Sequence, residues 1–101
     1  MDKKIFRNGP YSDLFSQGVQ TGNILTLAGQ LGDDLEGNVP KDLQSQMENC
    51  YKNIEIVLKE FNASFDNIID ETWFVTDIEE CMTSVGTVSY THLTLPTIRE
   101  V

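Results

Sequence analysis

Histidine, cysteine and proline are scarce in this chain, and basic residues are outnumbered. Its 101 residues include one histidine, two cysteines, three prolines and one tryptophan. The cysteines, Cys50 and Cys81, are too few for a disulfide framework, and no Cys-x-x-Cys pair or Cys/His cluster offers metal-ligand spacing. A reducing cytoplasm is the expected setting. No apolar run approaches the ~20 residues of a membrane-spanning helix, and the basic start MDKKIFRNGP is not followed by the apolar segment of a secretory signal. Seven Lys and Arg stand against sixteen Asp and Glu, a net charge of −9, which disfavours nucleic acid and anionic membranes as partners. Gly29, Gly32 and Gly37 do not have the spacing of a dinucleotide or phosphate loop. What is present is a 40% hydrophobic, 23% charged chain, the composition of one packed soluble domain.

Apolar periodicity places the elements. Ile5 and Phe6 begin a strand that gives way to a turn-prone run, Arg7 to Ser12, broken by Gly9 and Pro10. Phe15 to Gln20 leads through Thr21, Gly22 and Asn23 into Ile24 to Ala28, the pattern of a hairpin. The glycine-rich stretch Gly29 to Pro40 reads as an irregular connection. From Asp42, a good N-cap, Leu43, Met47, Cys50, Ile54, Val57, Leu58 and Phe61 recur at steps of three and four along one helical face. Asn62 suits the left-handed residue that closes such a helix. Ile68 to Thr76 reads as a strand, and a second helix is expected from about Asp77. Three strands, a helix, a strand and a helix imply an α+β fold: a two-layer sandwich with helices on one face of a mixed sheet.

The tail, VSYTHLTLPTIREV from Val88 to Val101, has a different character. Read back into DNA, GTC TCT TAT ACA CAT CTG ACG CTG CCG ACG encodes Val88 to Thr97 and resembles a transposon-end adapter used in preparing sequencing libraries. The adapter's neighbouring bases keep the frame at Thr87 and Ile98, and its resumption supplies Val101 and a stop. The expectation is a natural domain over residues 1–86, incomplete at its C-terminus, and a non-native tail over 87–101. His92 then has no catalytic role. Without Arg99 and Glu100 the charge is still −9, six basic against fifteen acidic residues.

Few residues stand out chemically. Asp33 with Asp34, Asp70 with Glu71, and Glu79 with Glu80 are adjacent acids of the kind usually found solvated. Cys50 lies on the apolar helical face and reads as a core residue, since no natural histidine is left to activate it. Asn62-Ala63-Ser64 matches a glycosylation acceptor, which has no meaning without secretion. Trp73 reads as an anchor of the core or of a subunit contact.

The ordered runs GPYSDLFSQGV, GNILTLAGQLGDDLEGNV and DLQSQMENCYKNIEIVLKEFNASFDNIIDETWFVTDIEECM resemble the RidA family, also called YjgF/YER057c/UK114. The resemblance covers roughly Gly9 to Met82. Its sharpest pieces are Ala28, Gly29 and Gln30 at a strand end, Gln46 in the helix, and Phe74 to Asp77 closing the next strand.

The resemblance implies a chorismate-mutase-like α+β fold and a homotrimer with small-molecule sites in the clefts between subunits. Its enzymatic members hydrolyse 2-imino acids, or their enamine tautomers, to 2-keto acids and ammonia without a metal or organic cofactor. Substrate contacts are expected at Phe15, Ala28, Gly29 and Gln30. The family's carboxylate-gripping arginine and its water-activating carboxylate lie on late strands that would fall beyond Gly86, so no catalytic residue is assigned in this chain. Phe15 stands where the deaminases resemble one another in having tyrosine, and Ala28 where they have serine. Two hydroxyls are missing, and losing a charge-assisted hydrogen bond costs about 1.5 to 3 kcal/mol. The alternative implied function is a noncatalytic trimer that binds a small metabolite or a protein client.

Overall fold

The computed structural model describes residues 2–9, 11–34, 36–88 and 97–101. Strand β1 (Lys3–Phe6) pairs antiparallel with β2 (Gly18–Thr21), which pairs antiparallel with β3 (Ile24–Leu27). Thr21 faces Ile24 across a two-residue loop whose first member, Gly22, has φ of 62°. A positive φ there matches the twist of the flanking strands, which is why a glycine opens this turn. Helix α1 (Leu43–Glu60) follows the glycine-rich connection, then a 3-10 turn (Phe65–Asn67), β4 (Thr72–Val75), helix α2 (Ile78–Val88) and β5 (Thr97–Glu100). β5 runs parallel to β4, with Phe74 opposite Arg99.

The α+β class stands, but the strands form two sheets, one in the order β1-β2-β3 and one of β4 with β5. Among the described residues no strand bridges β3 and β4. Element limits also differ from those read in the sequence. The first strand starts at Lys3, and the second begins only at Gly18, because Tyr11 to Phe15 coil into a turn. Ile68 to Glu71 are not strand: Ser64 and Asn67 close a capping box over the 3-10 turn, and the backbone reaches extended pairing only at Thr72. His92 and the segment 89–96 of the adapter-like tail lie outside the described residues.

Helix α1 is built as its apolar spacing requires. The Asp42 carboxylate accepts from the Ser45 amide at 2.9 Å. At the other end Asn62 has φ of 57°, and the Ala63 amide donates to the Leu58 carbonyl at 2.9 Å. This closure satisfies carbonyls that the helix leaves unpaired. Lys4 adds a tie from β1, donating to the Glu60 carbonyl at 2.7 Å with its ammonium 5.0 Å from the Phe61 ring centre. Met47, Tyr51, Val57 and Leu58 of α1 form the core with Val75 of β4 and Cys81 of α2. Trp73 meets Tyr51 edge-on at 6.3 Å, so it borders this core.

β2 lies close against α1 at Gly18. A Cβ at that position would sit 2.7 Å from Val57 Cγ1 and 2.8 Å from Phe61 Cε2. The absent side chain therefore sets the distance between the antiparallel sheet and the helix, and with it the position of the strand ends that shape the site.

Candidate functional site

Where β1, β2 and β3 give way to loops, a depression of about 270 Å³ is lined by Asn8, Gly9, Tyr11, Phe15, Gln17, Gly29, Gln30, Leu31, Asp33, Asp34 and Asn53. Gln17, only 4% exposed, ties the strand ends together. Its amide donates to the Phe6 carbonyl at 2.8 Å, its carbonyl accepts from the Ala28 amide at 3.0 Å, and its side-chain Oε1 accepts from the Asn8 amide at 2.7 Å. A buried amide satisfied in this way holds three segments in one arrangement.

One wall is aromatic. The amides of Leu14 and Phe15 donate to the Tyr11 carbonyl at 2.9 and 3.2 Å, and this single turn brings the two rings together. Tyr11 and Phe15 stack at 5.8 Å between centres with 12° between planes. Arg7 braces the turn by donating to the Ser12 carbonyl at 2.8 Å. Phe15 carries no hydroxyl, but Tyr11 brings a phenol to the same wall. Tyr11 has no apolar-pattern signal in the sequence, although its spacing of four residues from Phe15 is that of one helical turn.

The opposite rim is the Gly29 to Asp34 connection, held down by α1. Asn53 Nδ2 donates to the carbonyls of Leu31 at 3.1 Å and Asp33 at 3.0 Å. The Cys50 thiol donates to the Gln30 carbonyl at 3.4 Å, and Gln30 Nε2 donates to the Ala28 carbonyl at 3.0 Å. An added Cβ at Gly29 would find nothing within 4 Å, so the backbone there is open to a ligand. Phe15, Gly29 and Gln30 thus share this depression, whereas Ala28 is not among the lining residues.

The acids divide in a way their sequence does not reveal. Asp33, expected at a solvated surface, is only 8% exposed because the connection folds under Asn53. Asp34 remains exposed, and the Asn38 amide at 2.9 Å leads the contacts that hold its carboxyl below the usual range. Glu71 is half-buried and accepts from the Tyr51 hydroxyl at 3.2 Å. Burial, with Asp33's charge added, pushes the Cys50 thiol up to about 11. That thiol is a protonated packing group and donor, not a nucleophile. Among the described residues, no lysine, arginine or histidine lines the depression. Arg99 sits exposed on β5, opposite Phe74. Among the described residues no group of three or more His, Cys, Asp or Glu could hold a metal.

A two-layer α+β domain with a small, partly aromatic depression at its strand ends defines the class of protein. The model of a family described as Endoribonuclease L-PSP matches residues 7–99. The RutC family protein YjgH of Escherichia coli is 32% identical over 74 residues, 73% of this chain and 56% of that relative. The chain thus spans just over half the length of this curated relative. A solved structure of protein YJGH has a TM-score of 0.81 at 27% identity, over 96% of this chain and 82% of that one. A Rid-family protein of unknown function from Yersinia pestis shares the fold, with a TM-score of 0.84 at 23% identity, over 99% of this chain and 86% of that one. The chain belongs to the Endoribonuclease L-PSP family, the RidA/RutC group. No helix among the described residues is long and apolar enough to cross a membrane.

Proposed function

We propose that the parent protein is an enamine/imine deaminase that hydrolyses reactive 2-imino acids to 2-keto acids and ammonia. The observation that carries this reading is the meeting of Phe15, Gly29 and Gln30 around one depression in a chain of this family. The reaction is small in its demands: water adds its oxygen to the iminium carbon, the C–N bond breaks, and ammonia leaves as the keto group forms. Positioning provides most of the catalysis in such a step. Tyr11 and Phe15 would wall the substrate, while Gly29 allows close approach to the backbone. The substrate carboxylate needs a cationic partner, and the described residues of the depression offer none. In this reading the missing downstream part of the parent supplies the arginine and the water-activating carboxylate, and neighbouring subunits of a cytoplasmic homotrimer complete the cleft.

The codon match over Val88 to Thr97 supports the companion proposal that residues 87–101 are adapter-encoded. Thr97 and Ile98 suit an extended strand beside β4 whatever their origin. Resequencing the source locus tests this, and a natural gene that continues into the same tail contradicts it.

A second reading, a noncatalytic trimer that binds a metabolite or a protein client, is favoured by Phe15 and Ala28, which lack the hydroxyls of the deaminases. The ribonuclease of the family description is not carried over, because a net charge of −9 repels a phosphate backbone. Ammonia release from freshly generated 2-iminopropanoate, by the chain restored from genomic sequence, separates the two. Acceleration supports the enzyme, and its absence supports the binder.

A further inference from the structure

The turn from Tyr11 to Phe15 gives the depression a wall of a particular kind. Both rings line it, 36% and 39% exposed, and their planes lie only 12° apart, so they present one flat aromatic surface. The Arg7 bond to the Ser12 carbonyl and the two amide bonds to the Tyr11 carbonyl hold that surface in place. Leu31 adds an exposed apolar side chain on the opposite rim, and the open backbone at Gly29 lies on the same rim.

The polar side chains around this wall are engaged by the protein itself. Gln17 Oε1 accepts from the Asn8 amide, Gln30 Nε2 donates to the Ala28 carbonyl, and Asn53 Nδ2 donates to the carbonyls of Leu31 and Asp33. The Asp34 carboxylate accepts from the amides of Glu36 and Asn38 within its own turn. Recognition of a ligand's side chain then falls to apolar contact and ring geometry. A ligand ring covers half-exposed aromatic rings best, because stacked and edge-on ring pairs gain stability beyond the area they bury. The volume agrees: about 270 Å³ is close to the ~300 Å³ at which pockets begin to hold drug-sized molecules, well beyond the needs of a three-carbon imino acid.

We infer that the site prefers imino acids whose side chain ends in an aromatic ring, such as 2-imino-3-phenylpropanoate, with that ring packed on the Tyr11–Phe15 wall. This rests on the deaminase reading and deepens it by naming the substrate's side chain. An uncharged ring asks nothing of Asp33 or Asp34, and it leaves the carboxylate grip to the arginine that the reading assigns to the missing downstream part. 2-Iminopropanoate remains a substrate, but a poorer one.

Two neutral probes test the wall without involving the carboxylate grip. The 101-residue chain is titrated with benzyl alcohol and with cyclohexylmethanol, the more apolar of the two, and followed by ligand-observed NMR. Benzyl alcohol is expected to bind about threefold to tenfold more tightly, as a ring pair implies. Tyr11→Leu and Phe15→Leu keep an apolar side chain but remove a ring, and each lowers the ratio toward one. Phe74→Leu, which deletes an exposed ring outside the depression, leaves the ratio intact. Equal binding of the two alcohols, or tighter binding of cyclohexylmethanol, overturns the ring preference. A ratio that survives both leucine variants, or that falls equally in Phe74→Leu, overturns the role of the wall. Failure of both probes to bind overturns the site itself. With the genomically restored chain, kcat/KM for freshly generated 2-imino-3-phenylpropanoate is expected to exceed that for 2-iminopropanoate about tenfold. An equal or reversed order overturns the inference while the deaminase reading stands. Turnover of neither imine, beside a retained preference for benzyl alcohol, strikes the deaminase reading and leaves a site that binds aromatic rings.

Discussion

Asn53 of α1 reaches over to the site's rim and donates from one amide nitrogen to the backbone carbonyls of Asp33 at 3.0 Å and Leu31 at 3.1 Å. A side chain on the most regular element thereby fixes the least regular one. Asn53→Ala would leave those carbonyls short of a donor while removing little apolar area. The expected cost is about 1 to 3 kcal/mol, read as a lower urea midpoint with an unchanged slope. An unchanged midpoint would mean that the connection is held by other contacts.

Two glycines should respond in opposite ways to the same change. Gly18→Ala drives a methyl to within 2.7 Å of Val57 and 2.8 Å of Phe61, so overpacking is expected to cost about 1 to 3 kcal/mol. At Gly29 nothing lies within 4 Å of the added carbon, and its φ is not in the left-handed region. Gly29→Ala should keep the melting temperature and weaken small-ligand binding by crowding the open backbone. Thermal melts of both variants, with titrations of the second against pyruvate, the keto product of 2-iminopropanoate, check the pair.

Alkaline pH gives a third test. Burial, with Asp33's charge added, raises the folded Cys50 thiol to about 11, whereas an unfolded thiol titrates near ~8.5. The folded chain therefore keeps a proton that the unfolded chain releases. This contribution to stability is complete below about pH 8.5 and is lost as pH rises toward 11. Tyr51, raised chiefly by burial and then by Glu71's charge, acts in the same direction at higher pH. Urea midpoints should fall over this window, and Cys50→Ala should fall less steeply. Parallel profiles for the two proteins would contradict the assignment.

Particular residues show what could be read without coordinates. Helix α1 was legible because Leu43 to Phe61 repeat apolar side chains at the helical period, with Asp42 and Asn62 marking its ends. The hairpin was legible at Gly22 for the same local reason. β4 was read too long because Ile68 to Glu71 alternate like a strand, while the pairing of Ser64 with Asn67 bends the chain first. Asp33's burial was hidden, since it depends on Asn53, twenty residues further along. Tyr11 was missed because its role comes from stacking on Phe15 across a turn, which hydrophobic pattern alone does not reveal.

The most direct measurement is the rate of ammonia release from freshly generated 2-iminopropanoate, with the 101-residue chain and the genomically restored chain assayed side by side. Acceleration over the spontaneous rate is expected from the restored chain, and none from the present one. Equal turnover by both chains, or none by the restored chain, would contradict it.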